Sequence, residues 1–387
     1  MTFKKTLAVT TALSAVALLA ANAAVAADAP KLKISGYQDT FFGIGDMTAG
    51  TTSSGTPIFT SGGVTGGQAT ILAYGELKFE ASGTTDSGMK YGAYFELSID
   101  DGARNNKGSE QVVNNAGSTV SISTGATGKY GADEANVWMS GSWGKLEIGN
   151  QDGAADKMAV GGTEVDMLGG NILGAFFQVN GTFGLRGTDY TNVGEGADNT
   201  KITYYSPRMS GFQVGLSYVP RYAAQGTQPA QSGETRDNGS YEAGVSYTGK
   251  AGGAKFEIAA VASSFQEQAN ITGYGQGIGG MVEMNNITVA AGYAQNDDWR
   301  AASADQKAWN AGIGYNGGKW QVAAYYLNAD SKVGANKSEF EEFSLQAGYN
   351  FGGGLTGAVG LYDINLKEGG SETNDGQGLI AKLTAKF

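Results

Sequence analysis

Cysteine and histidine are both absent from the 387 residues. Without cysteine there is no disulfide, no thiolate nucleophile and no Cys-ligated metal. Without histidine the Ser-His-Asp and Cys-His arrangements, His-ligated zinc and imidazole acid–base steps are lost too. Most enzyme classes are hard to build under those two absences. Charge is scarce as well, at 16% of residues against about a quarter in ordinary domains. What charge remains is acidic, with 37 acids and 26 bases giving a net −11. Phosphate binding needs a basic face, so the balance argues against a nucleic-acid partner. Beyond residue 30 no apolar run approaches the roughly 18 residues of a helical membrane span.

Glycine is abundant, at 63 residues, or more than twice its usual share of about 7%. Aromatics are plentiful too, with 19 Tyr, 16 Phe and 5 Trp. The chain opens on an address. Lys4 and Lys5 supply a positive start, Leu7 to Ala21 an apolar stretch, and Ala24-Val25-Ala26 an A-x-A cleavage site. Residues 1–26 therefore read as a secretory signal peptide, cut after Ala26 or Ala27. Its loss removes two lysines and leaves a mature chain, 27–387, near −13.

Alternation at period two dominates that chain. In Lys90 to Asp100, Tyr91, Ala93, Phe95, Leu97 and Ile99 share one face, and the charged and polar residues share the other. Only a strand sorts them so. Sixteen such segments are expected near 32–43, 70–82, 89–100, 132–140, 144–151, 200–206, 212–219, 240–248, 255–264, 273–283, 287–295, 307–316, 319–328, 340–351, 355–366 and 377–387. Short connections (141–143, 207–211, 284–286, 317–318, 352–354) alternate with long ones (44–69, 101–131, 152–199, 220–239, 296–306, 329–339, 367–376). Strands running up and down would put all long loops at one end, as in an outer-membrane barrel. Aromatic pairs recur six residues apart on the apolar face: Phe212 and Tyr218, Tyr241 and Tyr247, Trp309 and Tyr315, Trp320 and Tyr326, Phe343 and Tyr349. Six residues rise about 20 Å along a strand, fair for two interfacial girdles around a tilted barrel. The fold class is thus all-β, a transmembrane antiparallel barrel of 16 strands.

Three features in order carry a family resemblance: Leu32-Lys33-Ile34-Ser35-Gly36-Tyr37, the hairpin Tyr205-Ser206-Pro207…Ser210-Gly211-Phe212, and a last strand ending in Phe387. With them the chain resembles the Gram-negative general porins, trimeric sixteen-stranded diffusion channels, over essentially its whole mature length. The resemblance implies passage of small hydrophilic solutes, a homotrimer, and a setting of outer-membrane lipid and lipopolysaccharide. It implies a terminal aromatic, Phe387, read by the barrel-assembly machinery. It also implies a third outer loop folded inward as a constriction. Here that loop follows Gln151 and carries Asp152, Asp156, Glu164 and Asp166 against Lys157.

Alternation aims Lys33, Lys78, Lys90 and Lys145 into the lumen, all near short turns or the chain start, where they would ring the mouth. Nearer mid-strand lie Asp39, Glu76 and Glu96, with Glu80, Asp100 and Glu147 also inward, a departure from the family's basic wall. The lumen should therefore be net negative and favour cations. Gly275-x-Gly277-x-x-Gly280 spells a dinucleotide fingerprint, but no helix opens behind it. No cofactor is implied; Asp100-Asp101 and Asp297-Asp298 could take calcium, with solvated loop charge as the plainer account. Three other channel-free or narrower readings stand beside the diffusion pore. A barrel protease or lipase leans on a histidine this chain lacks, and an adhesive barrel would not conduct. A sugar-selective pore would show a ladder of lumen aromatics, for which Tyr37, Tyr74 and Tyr94 are the candidates. Finally, strands at the two chain ends lack girdle aromatics and carry small and aliphatic outward residues, among them Leu97 and Leu146. That face is the expected trimer contact.

Overall fold

The computed structural model describes residues 28–47, 69–100, 109–113, 119–123, 131–169, 193, 198–220, 239–268, 271–298, 303–368 and 372–387. The signal-peptide region and most of 170–197 lie outside them. The strands are β1 (Asp28–Met47), β2 (Ala69–Thr84), β3 (Lys90–Asp100), β4 (Ser109–Val113), β5 (Thr119–Ser123), β6 (Gly131–Gly141), β7 (Gly144–Asn150), β8 (Thr200–Tyr205) and β9 (Phe212–Val219). They continue as β10 (Ser240–Ala251), β11 (Ala254–Gln268), β12 (Ile271–Met284), β13 (Ile287–Asp297), β14 (Ala304–Asn316), β15 (Trp320–Val333), β16 (Asn336–Gly352), β17 (Leu355–Glu368) and β18 (Glu372–Lys386). All but β4 and β5 close one antiparallel barrel, with β1 beside both β2 and β18. The sixteen expected segments are these sixteen strands.

The side-chain alternation explains the wall. Along β10 the burial runs buried, exposed, buried, exposed, and the exposed positions are Tyr241, Ala243 and Val245. Apolar residues face out and polar ones in, as lipid requires of a barrel. Tight turns close one end. Asn285 and Asn286 both take left-handed φ, 51° and 66°, and so do Gly252 and Gly253. Two positive φ values in a two-residue turn match the right-handed twist of the flanking strands. The last strand closes on the first through Gly36 and Phe387, which exchange two backbone hydrogen bonds of 3.0 Å. The Phe387 ring lies against Gly36 and is 70% exposed.

Three expectations need correction. The segments 329–339 and 367–376 are mostly strand, because β15 and β16, and β17 and β18, continue their ladders nearly to the tip. The long connection 101–131 contains a separate hairpin, β4 with β5. The inward face is not polar all round. From β14 to β1 it carries Tyr325, Leu327, Phe340, Ile364, Leu366, Ile380 and Phe41, each at most 5% exposed, and Leu168 of the third long connection completes the cluster. Alternation misleads here, since near the loop end these strands turn apolar residues inward and put Asp330, Lys332, Glu339, Glu341, Asp363 and Lys367 on the other face.

The girdles are formed by cross-strand contacts. Phe212 meets Tyr247 at 4.5 Å and Tyr218 meets Tyr241 at 5.1 Å between ring centres. Trp309 meets Tyr326 at 4.9 Å and Trp320 meets Tyr349 at 4.5 Å. Each pair belongs to one end of its strands, so the rings form two belts. Removing a buried aromatic from the inner cluster should cost about 3–5 kcal/mol. Phe340→Ala is expected to lower the urea midpoint of the refolded barrel; an unchanged midpoint would show that the cluster adds no stability.

Candidate functional site

The connection after β7, called loop 3 here, turns into the barrel at Gln151 and follows the inner wall to Gly169. Its first turn is α1 (Ala154–Lys157). The N–H groups of Ala154 and Ala155, which a helix start leaves unpaired, donate to Ser217 Oγ at 2.8 Å and Glu242 Oε2 at 3.2 Å. Glu242 also accepts from Lys201 Nζ at 3.2 Å, and both of those side chains are fully buried. A buried ion pair holds only when its remaining lone pairs are satisfied, and the loop backbone supplies one of the missing donors.

Farther on, a 3-10 turn, Gly162–Val165, begins where the Gly162 N–H donates to Asn310 Oδ1 at 2.7 Å. The tip is held by a reciprocal pair. Met167 N–H donates to Gln346 Oε1 at 2.8 Å, and Gln346 Nε2 donates to Asp166 Oδ1 at 2.8 Å. Asp166 Oδ1 also accepts from the Leu168 N–H at 3.0 Å. Leu168 then enters the apolar cluster. Loop 3 thus covers the wall from β8 round to β17.

The uncovered wall, β18, β1, β2, β3, β6 and β7, carries charge. Tyr37 donates its hydroxyl to Tyr74 at 2.7 Å, Tyr74 to Glu76, and Tyr94 to Glu96. Lys78 lies between Glu76 (2.8 Å) and Glu96 (3.0 Å) and 5.8 Å over the Tyr37 ring. Asp39 pairs with Lys382 at 2.9 Å, whose ammonium also sits 5.1 Å from the Phe41 ring. Lys145 pairs with Glu147 at 2.5 Å. From the loop side, Lys157 approaches Glu134 (3.7 Å) and Glu147 (3.9 Å).

Alternation places Glu134 inward with Asn136 and Trp138 but misses its neighbour Asp133. The β3–β6 register shifts between Phe95 paired with Ala135 and Leu97 paired with Ala132, so Asp133 and Glu134 both stand opposite Glu96. A bulge of this kind re-aims a side chain, and Asp133 accepts from Ser98 Oγ at 2.8 Å. Lys382 is inward by the alternation of β18, in phase with Ile380 and Thr384.

Of the expected lumen bases, Lys33 and Lys90 are exposed near the turn end. Lys78 is held against the wall by its two paired acids. Asp152, Asp156, Glu164 and Asp166 are all on loop 3, but Asp166 is spent on the tip. Carboxylate oxygens come within 4.8 Å of one another in Glu76, Glu96 and Asp133, and in Glu134, Asp152 and Asp198. The donor chemistry would suit a hard cation, although Lys78 and Lys157 already serve those groups. Asp297 and Asp298 accept instead from Gln295 and the Ser303 N–H, and Asp101 lies outside the described residues. Gly275 and Gly277 line the inner wall against Val193, which disposes of the nucleotide spelling.

A family model described as Gram-negative porin matches residues 10–369. Among solved structures, the chain is similar to an anion-selective porin from Comamonas acidovorans, with 13% identity and a TM-score of 0.60 over 93% of this chain and 100% of that one. It is similar to Salmonella typhi OmpF in complex with daunomycin, with 12% identity and a TM-score of 0.60 over 92% and 98%. It also resembles the trimer form of Vibrio cholerae OmpT, with 12% identity and a TM-score of 0.56 over 93% and 100%. Among curated sequences, an uncharacterized protein of Rickettsia conorii is 26% identical over 160 residues, 37% of this chain and 36% of that protein's length.

Crowded acids shift the titration of the loop 3 root. Burial first, and then the carboxylates of Asp152 and Glu242, push Asp156 up to about 6. Burial, with Asp152, Asp133 and Glu134, pushes Asp198 up to about 7. Burial and Glu257 raise Glu164. An unfolded Asp titrates near 3.9, so between about pH 4 and 7 the folded state binds more protons, and stability grows as pH falls through that window. The unfolding midpoint of the barrel should therefore rise from pH 8 to pH 5, and less steeply in Asp156→Asn. A midpoint that falls on acidification over that range would reject this account.

Proposed function

The chain belongs to the Gram-negative porin family, and from that premise we propose an outer-membrane channel that passes ions and small hydrophilic solutes by diffusion and prefers cations. The observation that carries the preference is the uncovered wall. Its bases are absorbed pairwise, Lys78 by Glu76 and Glu96, Lys145 by Glu147 and Lys382 by Asp39. Asp133, Glu134, Asp152, Asp156 and Asp198 add charge, which among the described residues Lys157 and the buried Lys201 offset in part. A negative cleft with low-dielectric walls concentrates counter-ions.

In this reading loop 3 is the constriction, with Asp152, Asp156 and Glu164 on its pore side and Asp166 fastening its tip. Asp39, Glu76, Lys78, Glu96, Lys145 and Glu147 form the facing wall, and Lys33 and Lys90 flank the turn-end mouth. Phe387, exposed and outward, is the residue the assembly machinery would read. Single-channel recording in planar bilayers tests the function. Discrete conductance steps are expected, and their absence would leave an adhesive barrel. Reversal potentials in a salt gradient should favour cations; anion preference would show that the lysines govern the narrow part. A sugar-selective pore is the second reading, favoured by Tyr37 and Tyr74 in edge contact at 5.6 Å, and current block by sugars would single it out.

A homotrimer completes the proposal. Outward pairs such as Leu77 with Leu97, Phe79 with Phe95, Val137 with Ile148 and Met139 with Leu146 make an apolar face, continued by Leu361 with Leu379 across the closure. Small and aliphatic residues there suit close packing of barrel against barrel. Leu97→Asp with Leu146→Asp should convert trimers to monomers on unheated gels and by light scattering. A wild-type protein that is already monomeric in mild detergent would end the idea.

A further inference from the structure

We infer that a track of glycines on the inner wall fixes the path of loop 3, and that these glycines set the size of solute the channel admits. The inference rests on the diffusion-channel reading above.

Glycine inside a strand weakens it, so a glycine that recurs at inward positions calls for a reason. The reason here is the approach of the loop. A Cβ on Gly215 of β9 would lie 2.5 Å from Met158 Sδ. On Gly279 of β12 it would overlap the Val160 carbonyl oxygen, and on Gly292 of β13 it would lie 3.0 Å from Gly161 Cα. On Gly312 of β14 it would overlap Val165 Cγ2. On Gly348 of β16 it would meet Met167 Sδ at 2.8 Å, and on Gly360 of β17 Leu168 Cδ1 at 2.6 Å. The loop residues rise from 158 to 168 as the strands advance from β9 to β17, so the loop is laid along the track in sequence order. None of these glycines has a left-handed φ; each is there for room. Inward positions on the uncovered wall include Tyr37, Tyr74, Glu76, Tyr94 and Glu96, and the inward Gly92 there is covered by Trp138 and not by the loop. The bore is therefore the space between the seated loop and that wall, and its width depends on how deeply the loop sits.

Gly279→Leu should lift the loop off β12. Gly280→Leu, on the next residue of the same strand but the outward face, is the control for barrel folding. Each variant is refolded, checked for heat-modifiable mobility and recorded in planar bilayers, with liposome swelling in graded neutral sugars. The expected result is a change in unitary conductance and in the largest sugar admitted for Gly279→Leu, with wild-type values for Gly280→Leu. Should Gly279→Leu fail to fold, Gly312→Ala and Gly312→Ala with Val165→Ala replace it. The single variant should shift the sugar cutoff and the double should restore part of it, because Val165 Cγ2 is then gone while the Gly162 carbonyl oxygen, 2.8 Å from the new Cβ, remains. A conducting wild type whose cutoff is unmoved by Gly279→Leu, or by Gly312→Ala, overturns the inference alone. A wild type that passes no current removes the channel reading itself.

Discussion

Everything in this molecule depends on closure of the sheet. Hydrocarbon offers no hydrogen bonds, so an unpaired strand edge in a membrane costs several kcal/mol per group. Sixteen strands remove the problem only if the last meets the first. β1 and β18 do so from Tyr37–Lys386 to Met47–Gly376, and the Gly36–Phe387 pair extends the ladder to the final residue. Gly36 lets the terminal ring lie flat over the seam. Once the ring is closed, the outward residues must suit lipid, and the interior becomes the place where the chain can differ round its circumference.

It differs sharply. One arc of the interior, β8 to β17, is covered by loop 3 and partly apolar. Wall glycines admit the loop backbone, Ser217, Asn310 and Gln346 satisfy its amides, and Phe340 and Leu366 cover its tip. The other arc is charged. The division has a physical cause, since a polypeptide laid against a wall needs its N–H groups paired, and side chains large enough to line a pore leave no room for it. Each sector is built for one of the two tasks.

The charged arc is also ordered internally. Lys78 joins two carboxylates that would otherwise repel, and the tyrosine hydroxyls donate to the same acids, so Glu76 and Glu96 remain close together on one wall. Pairing of that kind removes most of the positive field the lysines would have projected into the bore. The acids of loop 3 and of the β6 bulge have fewer basic partners among the described residues, which is what the proposed cation preference rests on.

How much of this was legible in the sequence follows from the range of each cause. Period-two alternation is local, so the sixteen strands, the barrel and the inward direction of Glu76, Glu96 and Lys145 could be read from the chain itself. Turn chemistry is local too, as at Asn285-Asn286. The strand ends at 329–339 and 367–376 were not legible, because ladder pairing carries polar residues into strand where composition alone suggests loop. Asp133 was hidden by the register shift between β3 and β6. The glycine count was visible from the start, but its meaning was not. Residues 279 and 160, or 346 and 166, meet only after the barrel has closed and the loop has crossed its interior. By itself the sequence determined the strands, their facing and the class of fold. Which inward residues touch the loop, which acids share a lysine, and where the bore lies were decided by tertiary structure, because those contacts join positions far apart in the chain through space that closure creates.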